Sequence, residues 1–211
     1  MNFPLSRLRR AALYPLTAAA LALVSPLHAE DPAGAAVSLF NGTDLTGWKA
    51  PSAETFWKVS DGVLTGENDP AKKGSVLETT KSYGDFDLEA DVRWTGEIDS
   101  GFNIRKPEIQ LQIGVSRSLK KDMTGCFYTG GKDKYPEAGQ ARDREKLIKP
   151  GDWNHFRLTA KGDTFTVWIN GTEAVVYRDA KYSGAAPIGL QIHGGLAMRV
   201  EFKNLKIREL K

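Results

Sequence analysis

Apolar and polar residues alternate along most of this chain with a period of two. Phe86, Leu88, Ala90, Val92 and Trp94 fall on one parity; Asp87, Glu89, Asp91 and Arg93 fall on the other. Successive side chains of a strand point to opposite faces, so residues 86–94 predict a strand with one face in the core and one in water. The same pattern sets Ile109, Leu111 and Ile113 against Glu108, Gln110 and Gln112. It sets Phe156, Leu158 and Ala160 against His155, Arg157 and Thr159, and Phe165, Val167 and Ile169 against Thr164, Thr166 and Trp168.

Turn signals separate the runs: Asn41-Gly42, Asp61-Gly62, Tyr83-Gly84-Asp85, Lys161-Gly162-Asp163 and Asn170-Gly171. The last two bracket one run, which predicts a meander of three short strands over 154–176. No window carries a helical stripe of apolar residues over three turns. Residues 140–149 have room for a helical turn or two before Pro150 stops it. Residues 116–150, charged and Gly-rich, predict long loops on one rim. The expected fold is all-β: two packed antiparallel sheets forming a β-sandwich of jelly-roll type, with a closed barrel as the competing architecture.

Charge changes the picture once it is located. The chain has 211 residues, with 29 Lys+Arg against 26 Asp+Glu. Residues 1–29 carry Arg7, Arg9 and Arg10 before an apolar run from Ala11 to Val24, and end Ser25-Pro26-Leu27-His28-Ala29. This order reads as a secretory signal peptide, and the run is too short for a membrane span. Its removal takes away three Arg and no acid, leaving 29 − 3 = 26 basic against 26 acidic residues. A formally neutral domain lacks the electrostatic footprint of a nucleic-acid binder. The expected organisation is a signal over 1–29, a short linker over 30–36 and one domain over 37–211, periplasmic or secreted, with no stable membrane span after cleavage. The single Cys126 excludes an internal disulfide and any Cys-based metal cluster.

Strand parity also groups the residues able to do chemistry. In Ser100–Arg105, Phe102 and Ile104 go to the core, which places Asn103 and Arg105 together on the opposite face. Glu108, Gln110 and Gln112 take that face in the next strand, and Gln191 and His193 take it near the C-terminus, before Gly194-Gly195. Amides, a guanidinium, a carboxylate and an imidazole offer both donors and acceptors at fixed spacing, which suits a polyhydroxylated ligand. The alternative is a merely solvated face. His155 and Cys126 read more simply as structural, and Trp168 is a candidate for stacking on a sugar ring. His28 leaves with the expected signal, and the remaining His155 and His193 cannot make a three-His zinc site, while a mixed His/carboxylate site for a divalent metal stays open.

The segment Leu39-Phe40-Asn41-Gly42-Thr43-Asp44-Leu45-Thr46-Gly47-Trp48 resembles the opening of the 3-keto-disaccharide hydrolase family, also called 3-keto-glucoside 1,2-lyase/2-hydroxy-glucal hydratase. Further similarity follows in order at residues 57–64, 83–88, 100–105, 108–110, 151–154, 168–171 and 188–194. The resemblance implies a concanavalin-like jelly roll whose concave face holds a sugar, and chemistry on glucosides oxidised at C3. The chain departs from the family pattern at Gln112-Ile113-Gly114 and at Gln191-Ile192-His193, where relatives often carry an Asp.

A ketone at C3 acidifies the C2 proton, and its removal expels the C1 substituent. The residues expected to serve this are Glu108 and His193 as acid and base, and Arg105 as a clamp on the enolate or a hydroxyl. Asn103, Gln110 and Gln191 would orient the ring, and a divalent metal could replace Arg105. The expected partner is a 3-keto-sugar or another neutral glycan. A non-catalytic, lectin-like carbohydrate-binding module is the alternative.

Overall fold

The computed structural model describes residues 34–49, 56–68 and 70–211. The expected signal over 1–29 and residues 30–33 of the linker lie outside the described residues. The strands begin with β1 (Val37–Ser38), β2 (Trp48–Lys49), β3 (Trp57–Ser60), β4 (Val63–Glu67) and β5 (Ser75–Tyr83). Next come β6 (Phe86–Trp94), β7 (Asp99–Ile104), β8 (Ile109–Ser116), β9 (Lys121–Asp122) and β10 (Phe127–Tyr128). The last are β11 (Asn154–Lys161), β12 (Thr164–Ile169), β13 (Thr172–Arg178), β14 (Ala186–Ile192) and β15 (Arg199–Glu209).

They form two antiparallel sheets. The first runs β13-β12-β11-β6-β15-β4-β3, with β1 also paired to β15. The second runs β10-β8-β7-β14-β5-β2, with β9 also paired to β8. Each path has two ends, so this is the expected jelly-roll sandwich and not a closed barrel.

Turn chemistry sets the hairpins. Asp61 (φ 52°) and Gly62 (φ 75°) join β3 to β4, and Asn170 (φ 51°) and Gly171 (φ 83°) join β12 to β13. Two consecutive positive φ values match the right-handed twist of the flanking strands. The predicted meander forms, with Phe156 opposite Ile169 and Phe165 opposite Tyr177.

The inward parity of each sheet makes the core. Phe86, Leu88, Ala90 and Val92 of β6 are buried against the other sheet, as expected. The Phe102 ring of β7 reaches across to Phe156, at 6.5 Å between centroids, and to Phe202, at 6.0 Å. Tilted and edge-on ring pairs of this kind add to plain area burial and lock the two sheets together.

Three expectations need correction. First, β7 and β8 are buried on both faces, with Gln110 only 5% and Gln112 only 1% exposed. Their polar face is not solvated: Tyr135, from the following loop, comes down on it. Second, residues 116–150 are not all loop. They contain β9, β10, a 3-10 turn at Glu137–Gly139 and one helical turn at Arg144–Leu147.

Third, Arg105 does not share a face with Asn103. It follows the end of β7 with φ 62°, a left-handed conformation that breaks the strand alternation. Its buried side chain enters the end of the sandwich between Phe86 and Phe165. There Nη2 donates to Asp85 Oδ1 at 2.8 Å and Nη1 to the Ser183 carbonyl at 3.3 Å. Arg105 is thus a structural cation tying the turn before β6 to the end of β7. Replacing Asp85 by Ala leaves that cation without its carboxylate and should cost about 3 kcal/mol of stability in urea unfolding. Ligand binding on the outer face should persist below the unfolding transition.

Candidate functional site

The outward face of the second sheet carries its polar residues in rows set by strand register. Glu78, Gly189, Asn103, Gln110 and Tyr128 form one row, from β5 across β14, β7 and β8 to β10. Val76, Gln191, Gly101 and Gln112 form the next. Gly101 is the gap in the middle. A Cβ there would sit 2.5 Å from Gln110 Nε2, so the glutamine chain occupies the space a side chain would need. Lying over this gap, Gln110 Nε2 donates to Gln191 Oε1 at 2.6 Å, bridging β8 and β14 across β7.

A second chain of bonds runs beside it. The buried Tyr135 hydroxyl donates to Gln112 Oε1 at 3.1 Å, and Gln112 Nε2 donates to Asp99 Oδ1 at 2.9 Å. Asp99 Oδ2 accepts from the Arg117 backbone N–H at 2.9 Å. Burial pushes the Tyr135 phenol well above its ordinary range, so it remains a donor. Every polar end of Gln112 is engaged. Gln110 Oε1 and Gln191 Nε2 carry no partner among the described residues, and they present one acceptor and one donor side by side.

A cavity of about 390 Å³ opens here, within the range typical of small-molecule sites. Gln110, Gln191, His193, Tyr128 and Tyr135 line it together. The two tyrosine rings stand 5.2 Å apart in a tilted pair. Arg117 and Lys134 stand at the wall made by the loops. An open shelf on the far side of Gln191 and His193 is lined by Gly74, Ser75, Val76 and Glu78.

His193 follows β14, where its backbone N–H donates to the Asp99 carbonyl at 3.0 Å. Its Nδ1 lies 2.7 Å from the Gly194 carbonyl. A carbonyl only accepts, so Nδ1 carries the proton in the neutral ring and Nε2 keeps its lone pair.

Glu108 lies in the turn before β8, beyond the opposite end of β7, and accepts from Asn103 Nδ2 at 3.1 Å. Partial burial raises its pKa above the usual carboxylate range, and the Glu78 charge acts in the same sense, against the Asn103 bond. Glu108 and His193 share the face, as expected, but not the cavity. Roughly 20 Å of strand at about 3.3 Å per residue separates their rows. The expected acid–base pairing of these two on one bond is therefore corrected.

The expected group is thus partly assembled. Gln110, Gln191 and His193 meet in the cavity, Asn103 and Glu108 form a separate pair outside it, and Arg105 is elsewhere. Asp99, Tyr128, Tyr135, Arg117 and Lys134 were missed. Asp99 was legible, because it shares the parity of Gly101 and Asn103. Tyr135 and Lys134 sit on an irregular loop that carries no periodic signal. Trp168 stacks on Arg157 at 4.9 Å on the outer face of the other sheet, where His155 also bonds Asp91 at 2.9 Å. Neither belongs to this site. Among the described residues no group of three His, Cys, Asp or Glu could hold a metal, and no helix is long and apolar enough to cross a membrane.

Residues 35–208 match the family model of the 3-keto-alpha-glucoside-1,2-lyase-like domain. None of the curated proteins matches the chain. Two crystal structures from Parabacteroides distasonis, provisionally named glycosyl hydrolases, share the fold. One is 24% identical with a TM-score of 0.64, covering 83% of this chain and 94% of the other. The second is 22% identical with a TM-score of 0.66, covering 84% and 100%. A carbohydrate-binding module from Bacillus subtilis is 16% identical with a TM-score of 0.56, covering 77% and 96%.

The carboxyl titration of Glu108 tests the local electrostatics. Glu78→Gln removes a like charge and should lower the Glu108 pKa, whereas Asn103→Leu removes the donor to its carboxylate and should raise it. Carboxyl-carbon NMR across the pH range reads both shifts.

Proposed function

We propose that this chain, which belongs to the 3-keto-alpha-glucoside-1,2-lyase-like family, cleaves glycosides oxidised at C3 by β-elimination across C1–C2. His193 and a bonded amide pair with two free ends, all in one cavity, carry this reading.

The free acceptor on Gln110 and the free donor on Gln191 match a sugar hydroxyl, or two neighbouring ones. His193 Nε2 removes the C2 proton, and the C–H electron pair moves toward the C3 oxygen as an enolate. Collapse of the enolate forms the C1=C2 bond and breaks the C1–O bond. The leaving oxygen takes a proton from the Tyr128 hydroxyl, which lines the same cavity. Amide N–H donors of Gln191 face the developing oxyanion. The product is a 2-hydroxy-3-keto-glycal, to which water can add at C1. The N-terminal export signature supports action outside the cytoplasm.

Incubation of the protein with a 3-keto-glucoside, followed by chromatography, tests the proposal. His193→Ala should lower kcat/KM by about 100-fold or more. Gln110→Ala and Gln191→Ala should act mainly by raising KM. Unchanged turnover in the His193 variant removes that residue from the chemistry. Binding without turnover by the unaltered protein assigns a carbohydrate-binding module in place of a lyase.

A further inference from the structure

We propose that the cavity selects glycosides whose leaving unit carries a carboxylate, held by Lys134 and Arg117. The inference rests on the carbohydrate chemistry above and adds a charge preference to it.

The formal neutrality of the domain hides a local imbalance. Among the described residues three charged side chains line the cavity: Asp99, Arg117 and Lys134. Asp99 is only 5% exposed and both its oxygens are taken, one by Gln112 and one by the Arg117 backbone. With both oxygens occupied, Asp99 offers a ligand no free acceptor, whereas the two cations stay open to one. The Lys134 ammonium has no ion pair or hydrogen bond among the described residues. The Arg117 guanidinium has one carboxylate neighbour, Glu97, at a loose 3.7 Å with 52% of the Glu97 side chain exposed. An exposed contact of that length holds little of a guanidinium's capacity.

Lys134 is also held in place. Its carbonyl accepts from the Thr129 N–H at 2.9 Å, and the next residue, Tyr135, is buried and bonded to Gln112. The cation is therefore presented at the cavity wall by a fixed backbone. The shelf on the other side of His193 has the opposite sign, since Glu78 is its one charged lining residue among the described residues. A ligand with a negative end is oriented by this difference, with that end against Lys134 and Arg117 and away from Glu78. Arginine's forked donors suit a carboxylate in particular.

The test uses 4-carboxyphenyl and 4-carbamoylphenyl 3-keto-glucosides, which match in shape and differ in charge. At low salt kcat/KM should favour the carboxylate by about tenfold, and the preference should shrink as salt is added. Lys134→Gln combined with Arg117→Gln should bring the ratio close to one, read from kcat/KM of both compounds on the same variant. Equal kcat/KM for the two compounds overturns the proposal, as does a ratio that survives the double substitution. If neither compound is turned over, the lyase chemistry fails. Calorimetric affinities of the same pair then decide the charge preference separately: tighter carboxylate binding, lost in the double variant, supports it, and equal affinities overturn it.

Discussion

The site depends on a hydrogen bond between two glutamine side chains laid over a strand that has no side chain at that point. A buried amide left without partners costs about 1–3 kcal/mol, so Gln110 needs a bond wherever the fold covers it. Gln191 is two strands away and within reach only because Gly101 leaves the intervening space empty. Once that bond exists, the remaining ends of the two amides are held in one orientation. The sheet then presents a fixed donor and acceptor instead of a set of mobile polar side chains.

Burial of the outer face of β7 and β8 follows the same logic. Gln112 is almost fully enclosed, and its two polar ends are met by Tyr135 and Asp99. Asp99 in turn anchors the chain at Arg117, where the rim loops begin. The loop that carries Tyr135 and Lys134 is thus fastened through one glutamine to the sheet. Binding groups on a loop normally lose entropy when a ligand orders them. Here the polar network has ordered the Tyr135 end of the loop before any ligand arrives.

The core and the site solve different problems with the same strands. One parity of β7 supplies Phe102, whose contacts with Phe156 and Phe202 join the sheets. The other parity supplies Asp99, Gly101 and Asn103. Neither set can move by one residue without the other, because a one-residue slip exchanges the two faces. Arg105 marks where this coupling ends. Its left-handed backbone releases it from the strand, and it becomes a buried tie to Asp85.

Alternation along residues 86–94 and 154–169 was enough to determine an all-β fold, because burial on one face imposes a period of two; the open sheet paths decided sandwich over barrel. Asn-Gly and Asp-Gly pairs determined two hairpins, because few residues accept consecutive positive φ values. Parity also placed Gln110, Gln191 and His193 on one face. Tertiary structure alone decided that this face is buried, that Glu108 and His193 stand at opposite ends of it, and that Arg105 leaves it. It alone decided that Tyr135 and Lys134 belong to it. Periodicity reports which way a side chain points from its own strand. It carries no information on how far apart two rows lie, or on which irregular loop comes to rest over them.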